Sequence, residues 1–129
     1  MKLYKVFCVI LIILLSDRAL AEWELITKGQ ATGDEFYVDV NQIKVVDNYR
    51  YYWVLKNYPR KDEFGSSSST MYFQADCDVF RQKVLAFNFY TGHMQTGIVD
   101  TQEPDPSLAN WRYPAPGTVF FRTLEAACK

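Results

Sequence analysis

The sequence predicts an α+β domain: an antiparallel sheet of about six strands, one C-terminal helix packed on a face, and a disulfide tying the two. Three observations carry this. Period-two alternation of large side chains recurs in short segments separated by turn residues, the mark of half-buried strands. A single stretch, Val119 to Cys128, repeats apolar residues at three and four instead, as a helix does. Only Cys77 and Cys128 remain once the leader is removed.

That leader is residues 1–21. Lys2 and Lys5 precede an apolar run from Val6 to Leu15, and Ala19-Leu20-Ala21 ends it. A basic start, a short apolar stretch and an A-x-A finish make a secretory signal peptide. The run is shorter than the roughly 20 residues that span a bilayer. Cleavage after Ala21 discards Cys8, and two cysteines in an exported chain read as one disulfide. A lipid anchor would need a cysteine just after the apolar run, where Ser16 to Ala21 stand. The destination is the periplasm or the medium rather than the outer-membrane surface.

The mature chain, residues 22–129, is one domain by length. Three of the 14 basic and one of the 15 acidic residues lie in the leader, leaving 11 against 14 and a formal charge of about −3. Nucleic acid is excluded as a partner, since phosphate binding needs a clustered basic surface. No second apolar run exists to span a membrane.

The elements follow in order. Trp23 to Lys28 is strand-like, and Gly29 to Asp34 is turn chemistry. In Glu35 to Val40, Phe36, Val38 and Val40 share one face. Asn41 to Ile43 forms a short helical turn before Lys44 to Val46, and Asp47-Asn48 closes a hairpin. Tyr49 to Tyr58 is the strongest strand, with Tyr49, Tyr51, Trp53 and Leu55 facing one way and Tyr52, Val54 and Lys56 the other. Pro59 stops it.

Arg60 to Ser69, ending in four serines, reads as a flexible loop. Thr70 to Phe80 resumes the alternation: Met71, Phe73, Ala75, Cys77 and Val79 face the core, while Tyr72, Gln74, Asp76, Asp78 and Phe80 face outward. Lys83 to Thr91 and Gly97 to Thr101 are two further strands. A long connection, Glu103 to Pro116, holds four prolines with Trp111 in its middle. Thr118 caps the helix, whose ten residues are marginal alone in water. Docking on the sheet and bonding Cys128 to Cys77 stabilise it.

The chain offers little chemistry. His93 is the sole histidine and sits in a turn. His93 and Met94 project oppositely on an extended backbone and do not grip one haem iron. No Cys-x-x-Cys-His occurs, and one histidine with two bonded cysteines does not assemble a zinc site. Asp76 and Asp78 lie about 7 Å apart on an outward strand face, in the place of solvating acids. Asp100, Glu103 and Asp105 lack calcium-loop spacing. No catalytic set, cofactor or metal is expected. A small secreted hydrolase would need Asp76, Asp78 or His93 in a pocket.

Aromatic faces remain. A helix covers one side of the sheet, so Tyr49, Tyr51, Trp53 and Tyr72 lie on the other. Exposed, they form a contact patch; alternatively the Glu103 to Pro116 segment roofs them with Trp111, which the pattern favours.

The order and spacing of these features resemble the surface-adhesin protein E family of Gram-negative bacteria. The residues carrying the resemblance are Trp23, Tyr37-Val38-Asp39 followed by Ile43, Trp53-Val54-Leu55 with Asn57-Tyr58, and the serine-rich loop. Asp76-Cys77, Tyr90 through Gly97, Trp111, and Pro116-Gly117-Thr118 ahead of Leu124 and Ala127-Cys128 complete them. The resemblance implies a sheet with a disulfide-tied C-terminal helix, and a surface protein that binds host matrix proteins and dimerises. This chain departs in lacking a lipobox cysteine and a lysine-dense segment.

The expected function is therefore a non-enzymatic exported binding module. It contacts envelope or host matrix proteins through Tyr49, Tyr51, Trp53 and Tyr72 and through Arg60 and Lys61 of the polar loop. The alternative is a structural or accessory envelope protein that homodimerises through the uncovered face.

Overall fold

A computed structural model describes residues 21–129; the leader expected over residues 1–21 lies, but for Ala21, outside the described residues. Seven strands form one antiparallel sheet: β1 (Trp23–Lys28), β2 (Glu35–Asp39), β3 (Lys44–Val46), β4 (Tyr49–Asn57), β5 (Ser68–Asp76), β6 (Arg81–Tyr90) and β7 (Val99–Gln102). The main path runs β1-β2-β4-β5-β6-β7, with β3 also paired to β4. β2 and β3 share one edge of β4: Val38 faces Val54, Lys44 faces Tyr51, and a 3-10 turn over Val40–Gln42 buckles out between them. Short links between sequential strands enforce this meander, since a two-residue turn joins only antiparallel neighbours. Asp47 makes the β3–β4 turn at φ 53°, a left-handed position that aspartate tolerates better than most side chains.

The helix, α1 (Val119–Ala127), is capped as expected: the Thr118 hydroxyl accepts the Phe121 N–H at 3.2 Å. It packs on β1, β2 and β4. Leu124 and Ala127 are fully buried against Phe36, Val38, Tyr52, Val54, Phe73 and Ala75. Phe120 meets Phe36 and Phe73 edge-on with centroids 6.1 and 6.0 Å apart. Burial of this size is worth roughly 1.5–3 kcal/mol per large side chain, which makes a nine-residue helix stable where propensity alone does not. At its C-terminal end the Arg50 guanidinium donates to the Ala127 and Lys129 carbonyls at 2.9 and 2.8 Å, placing positive charge where the helix dipole is negative. The Cys77–Cys128 disulfide closes across 51 residues with Cα atoms 5.6 Å apart.

Four expectations change. The serines are not a flexible linker: Ser66 to Ser69 are buried, and β5 begins at Ser68. Backbone partners explain it, because Ser67 donates to the Tyr90 carbonyl at 2.8 Å while accepting from the Tyr58 N–H at 2.9 Å. β5 ends at Asp76 rather than running to Phe80, so Val79 is exposed and does not face the core. Phe80 turns at φ 54° and meets Phe121 of α1 at 4.8 Å instead of facing outward. Asp76 is buried rather than solvated: its carboxylate accepts the Asp78 N–H at 3.2 Å and pairs with Arg81 at 3.2 Å, which shapes the β5–β6 turn.

Candidate functional site

Period-two alternation on β4 places Tyr49, Tyr51, Trp53 and Leu55 on the face away from α1, since Tyr52 and Val54 belong to the helix-side core. On β5, Tyr72 has the same parity and stands directly opposite Trp53. Such cross-strand neighbours touch, and these two rings stack at 4.7 Å with planes 25° apart. Tyr51 leans on the other side of Tyr72 at 6.1 Å. The result is a three-ring ladder, Tyr51–Tyr72–Trp53, each ring half-buried. Beyond Trp53 opens a groove of about 480 Å³, lined by Trp53, Tyr72, Trp23, Asp39, Gln42, Lys44 and Gln95. Burial, then the neighbouring Tyr51, raises the pKa of the Tyr72 phenol above its ordinary value.

Tyr49 stands apart from the ladder. Trp111 stacks on it at 5.9 Å, and Arg81 and Lys83 lie 4.3 and 4.8 Å from the Trp111 ring. The 103–116 segment is pinned here by Arg112, whose backbone exchanges hydrogen bonds with Gln82 at 2.9 and 2.8 Å. The roof is therefore partial: Trp111 covers Tyr49 and leaves the ladder half-open.

The structure does not bring Arg60 and Lys61 to the ladder. Arg60 is exposed beside a separate hollow shared with Asp34, Lys56 and Tyr58. The Lys61 ammonium is tied back onto the Thr91 carbonyl at 2.6 Å. Asp76, Asp78 and His93 do not line the groove. Asp76 is held by Arg81, Asp78 is exposed, and the exposed His93 places Nε2 2.8 Å from the Tyr58 carbonyl oxygen. Among the described residues no cluster of three His, Cys, Asp or Glu could hold a metal ion, and no helix is long and apolar enough to cross a membrane.

Sequence reasoning missed Trp23, Gln42, Lys44 and Gln95 as groove residues. They arrive from β1, the 3-10 turn, β3 and the β6–β7 loop. Only the register of Trp23 with Asp39 and the bulged-out turn bring the first three together.

The model of the surface-adhesin protein E family matches residues 23–129. The chain belongs to this family. That is a family of adhesin-like surface proteins. No curated protein sequence matches the chain. Among solved structures, crystal form II of Haemophilus influenzae protein E is similar at 14% identity with a TM-score of 0.65, covering 86% of this chain and 90% of that one. A second structure of Haemophilus influenzae protein E gives 14% identity and a TM-score of 0.60, over 88% and 87% of the two chains. Protein E from non-typeable Haemophilus influenzae gives 14% and 0.55, over 85% and 76%. At such identity the likeness establishes the fold, and the sheet-plus-helix build matches the expectation from the residues.

Proposed function

We propose that this surface-adhesin protein E relative is an exported, non-enzymatic binding module that holds a protein partner against its helix-free sheet face. The observation that carries the reading is the half-open Tyr51–Tyr72–Trp53 ladder beside its groove. Stacked tyrosine and tryptophan offer large, rigid contact area at little entropic cost, and these residue types dominate binding hot spots. Arg60 and Lys61 form a second contact at the far end of the domain, and Tyr49 contributes through Trp111. The leader over residues 1–21 and the disulfide support an oxidising destination, periplasmic or secreted.

The test is binding of the purified oxidised domain to immobilised envelope proteins and extracellular-matrix proteins, comparing wild type with Trp53→Ala and Tyr51→Ala. A bound partner should dissociate at least about tenfold faster from the variants, the loss of one hot-spot ring. Variants that stay folded and keep every interaction would sink the reading, as would a wild type that binds nothing in either set.

A second reading keeps the accessory envelope protein acting as a homodimer but moves its contact from the uncovered sheet face to the free edge of β7. There Ile98 and Val99 stand 78% and 51% exposed, and an unpaired strand edge invites a second strand. Light scattering separates the two readings: a strict monomer at all concentrations removes this one.

A further inference from the structure

Asp39, a residue only 4% exposed, ends β2 with its carboxylate at the wall of the groove. A buried carboxylate is costly unless a charge or hydrogen bonds compensate it. Among the described residues no lysine or arginine forms an ion pair with Asp39. Its Oδ1 instead accepts from the backbone nitrogen of Glu22 at 3.2 Å. That nitrogen belongs to the Ala21–Glu22 bond, the bond at which the A-x-A motif places leader cleavage.

We propose that Asp39 is a built binding site for a primary ammonium, the one created when the leader is removed. Hydrolysis adds one water across the bond: Ala21 departs with the new carboxylate, and the Glu22 nitrogen, gaining hydrogens, becomes an α-ammonium at neutral pH. The site is assembled around Glu22 from three sides. Its carbonyl accepts the Val40 N–H at 3.3 Å, its side-chain carboxylate accepts from the Asn41 amide, and the next residue, Trp23, pairs in register with Asp39. Glu22 is thus anchored before and after cutting, and the ammonium appears already aimed at its acceptor. Before cleavage the contact is a neutral amide hydrogen bond. Afterwards it is a charge-assisted one, shorter and roughly twice as strong, and the buried carboxylate acquires its counter-charge. Ala21 lines the aromatic groove beside Asp39, so its departure also clears one end of that groove. The inference rests on the export reading and not on any partner for the ladder.

The experiment compares three forms of the domain: one starting at Glu22, the same with an acetylated α-amine, and one starting at Ala21. Each is made with and without Asp39→Asn, and N-terminal sequencing of the exported product accompanies them. Sequencing should read Glu22 first. The free Glu22 form should melt about 4–8 °C above the acetylated form, and the gap should close in Asp39→Asn. If Asp39→Asn fails to fold, the wild-type α-amine is titrated with an acylating reagent, and should react at least about tenfold slower than in urea, as an ordered group does. Equal melting of free and acetylated forms, or acylation at the unfolded rate, would overturn the inference while leaving export intact. A different first residue, or a blocked one, would overturn it as well.

Discussion

Removing the Cys77–Cys128 bond, by Cys77→Ala with Cys128→Ala, should destabilise the domain by about 4 kcal/mol. The figure comes from the 51-residue separation: in the chain-entropy treatment, closing a loop of that length removes about 14 cal/mol/K from the unfolded chain. Against a usual total of roughly 5–15 kcal/mol the loss is large. The native state should nonetheless survive at 25 °C. Leu124 and Ala127 stay buried without the bond, and Arg50 still holds the last helical carbonyls. The assay is urea unfolding of oxidised and bond-free proteins followed by far-UV CD. With a slope of about 1.5 kcal/mol/M, the midpoint should fall by roughly 2.5–3 M. Because the effect lies in the unfolded chain, the tyrosine and tryptophan bands of the native near-UV CD should not change beyond loss of the cystine's own broad contribution. A midpoint shift below about 0.7 M would refute the argument. So would a loss of the aromatic near-UV bands before unfolding, which would mean that the bond holds native packing together.

Three further outcomes follow from particular contacts. Burial raises the Tyr52 phenol pKa far above its ordinary value of about 10; the folded state therefore keeps its proton longer, and stability should be level below pH 10 and fall above it. Urea midpoints between pH 8 and 11.5 check this, and Tyr52→Phe should flatten the fall while costing about 1–2 kcal/mol at neutral pH, because Gln82 loses its partner. Ser68→Ala removes the hydroxyl that donates to the Gly92 carbonyl at 2.6 Å and accepts from the Gln95 N–H at 3.2 Å. It should cost about 1–2 kcal/mol and speed hydrogen exchange across residues 91–98 ahead of the sheet. Trp111→Ala, which deletes one stacked ring and its contacts with the Arg81 and Lys83 cations, should cost about 1–2 kcal/mol and free the 103–116 segment to exchange, leaving the spectrum of α1 unchanged.

Most of the framework was legible because each strand carries its own alternation. Tyr49 to Asn57 reads as a strand in isolation, and its two faces separate without knowledge of any neighbour. The helix was legible from Thr118 and the spacing of Leu124 and Ala127. Ser66 to Ser69 misled because serine composition describes linkers on average; here strand neighbours supply the backbone partners that make burial affordable, and those neighbours, Tyr58 before the serines and Tyr90 well after them, lie outside the segment. At the end of β5, parity alone extended the strand through Cys77 to Phe80. The inward turn of Asp76 onto Arg81 is a tertiary choice that alternation does not encode. The ladder was half legible: Tyr51 and Trp53 share a face by counting, and pairing Trp53 with Tyr72 rather than a neighbour two residues away depends on register. The groove was not legible, because its walls come from β1, the end of β2 with the 3-10 turn and β3, β4, β5 and the β6–β7 loop.

The order in which the pieces meet has a consequence for biogenesis. Every hairpin in the meander joins stretches made within moments of one another, yet α1 settles on β1, β2 and β4, at the opposite edge from β7, which precedes it. The greasy underside of the early strands therefore waits uncovered until Val119 to Ala127 have been synthesised. A nascent chain of this design cannot complete its interior before that helix emerges, and until then it remains a pliable thread rather than a finished knot.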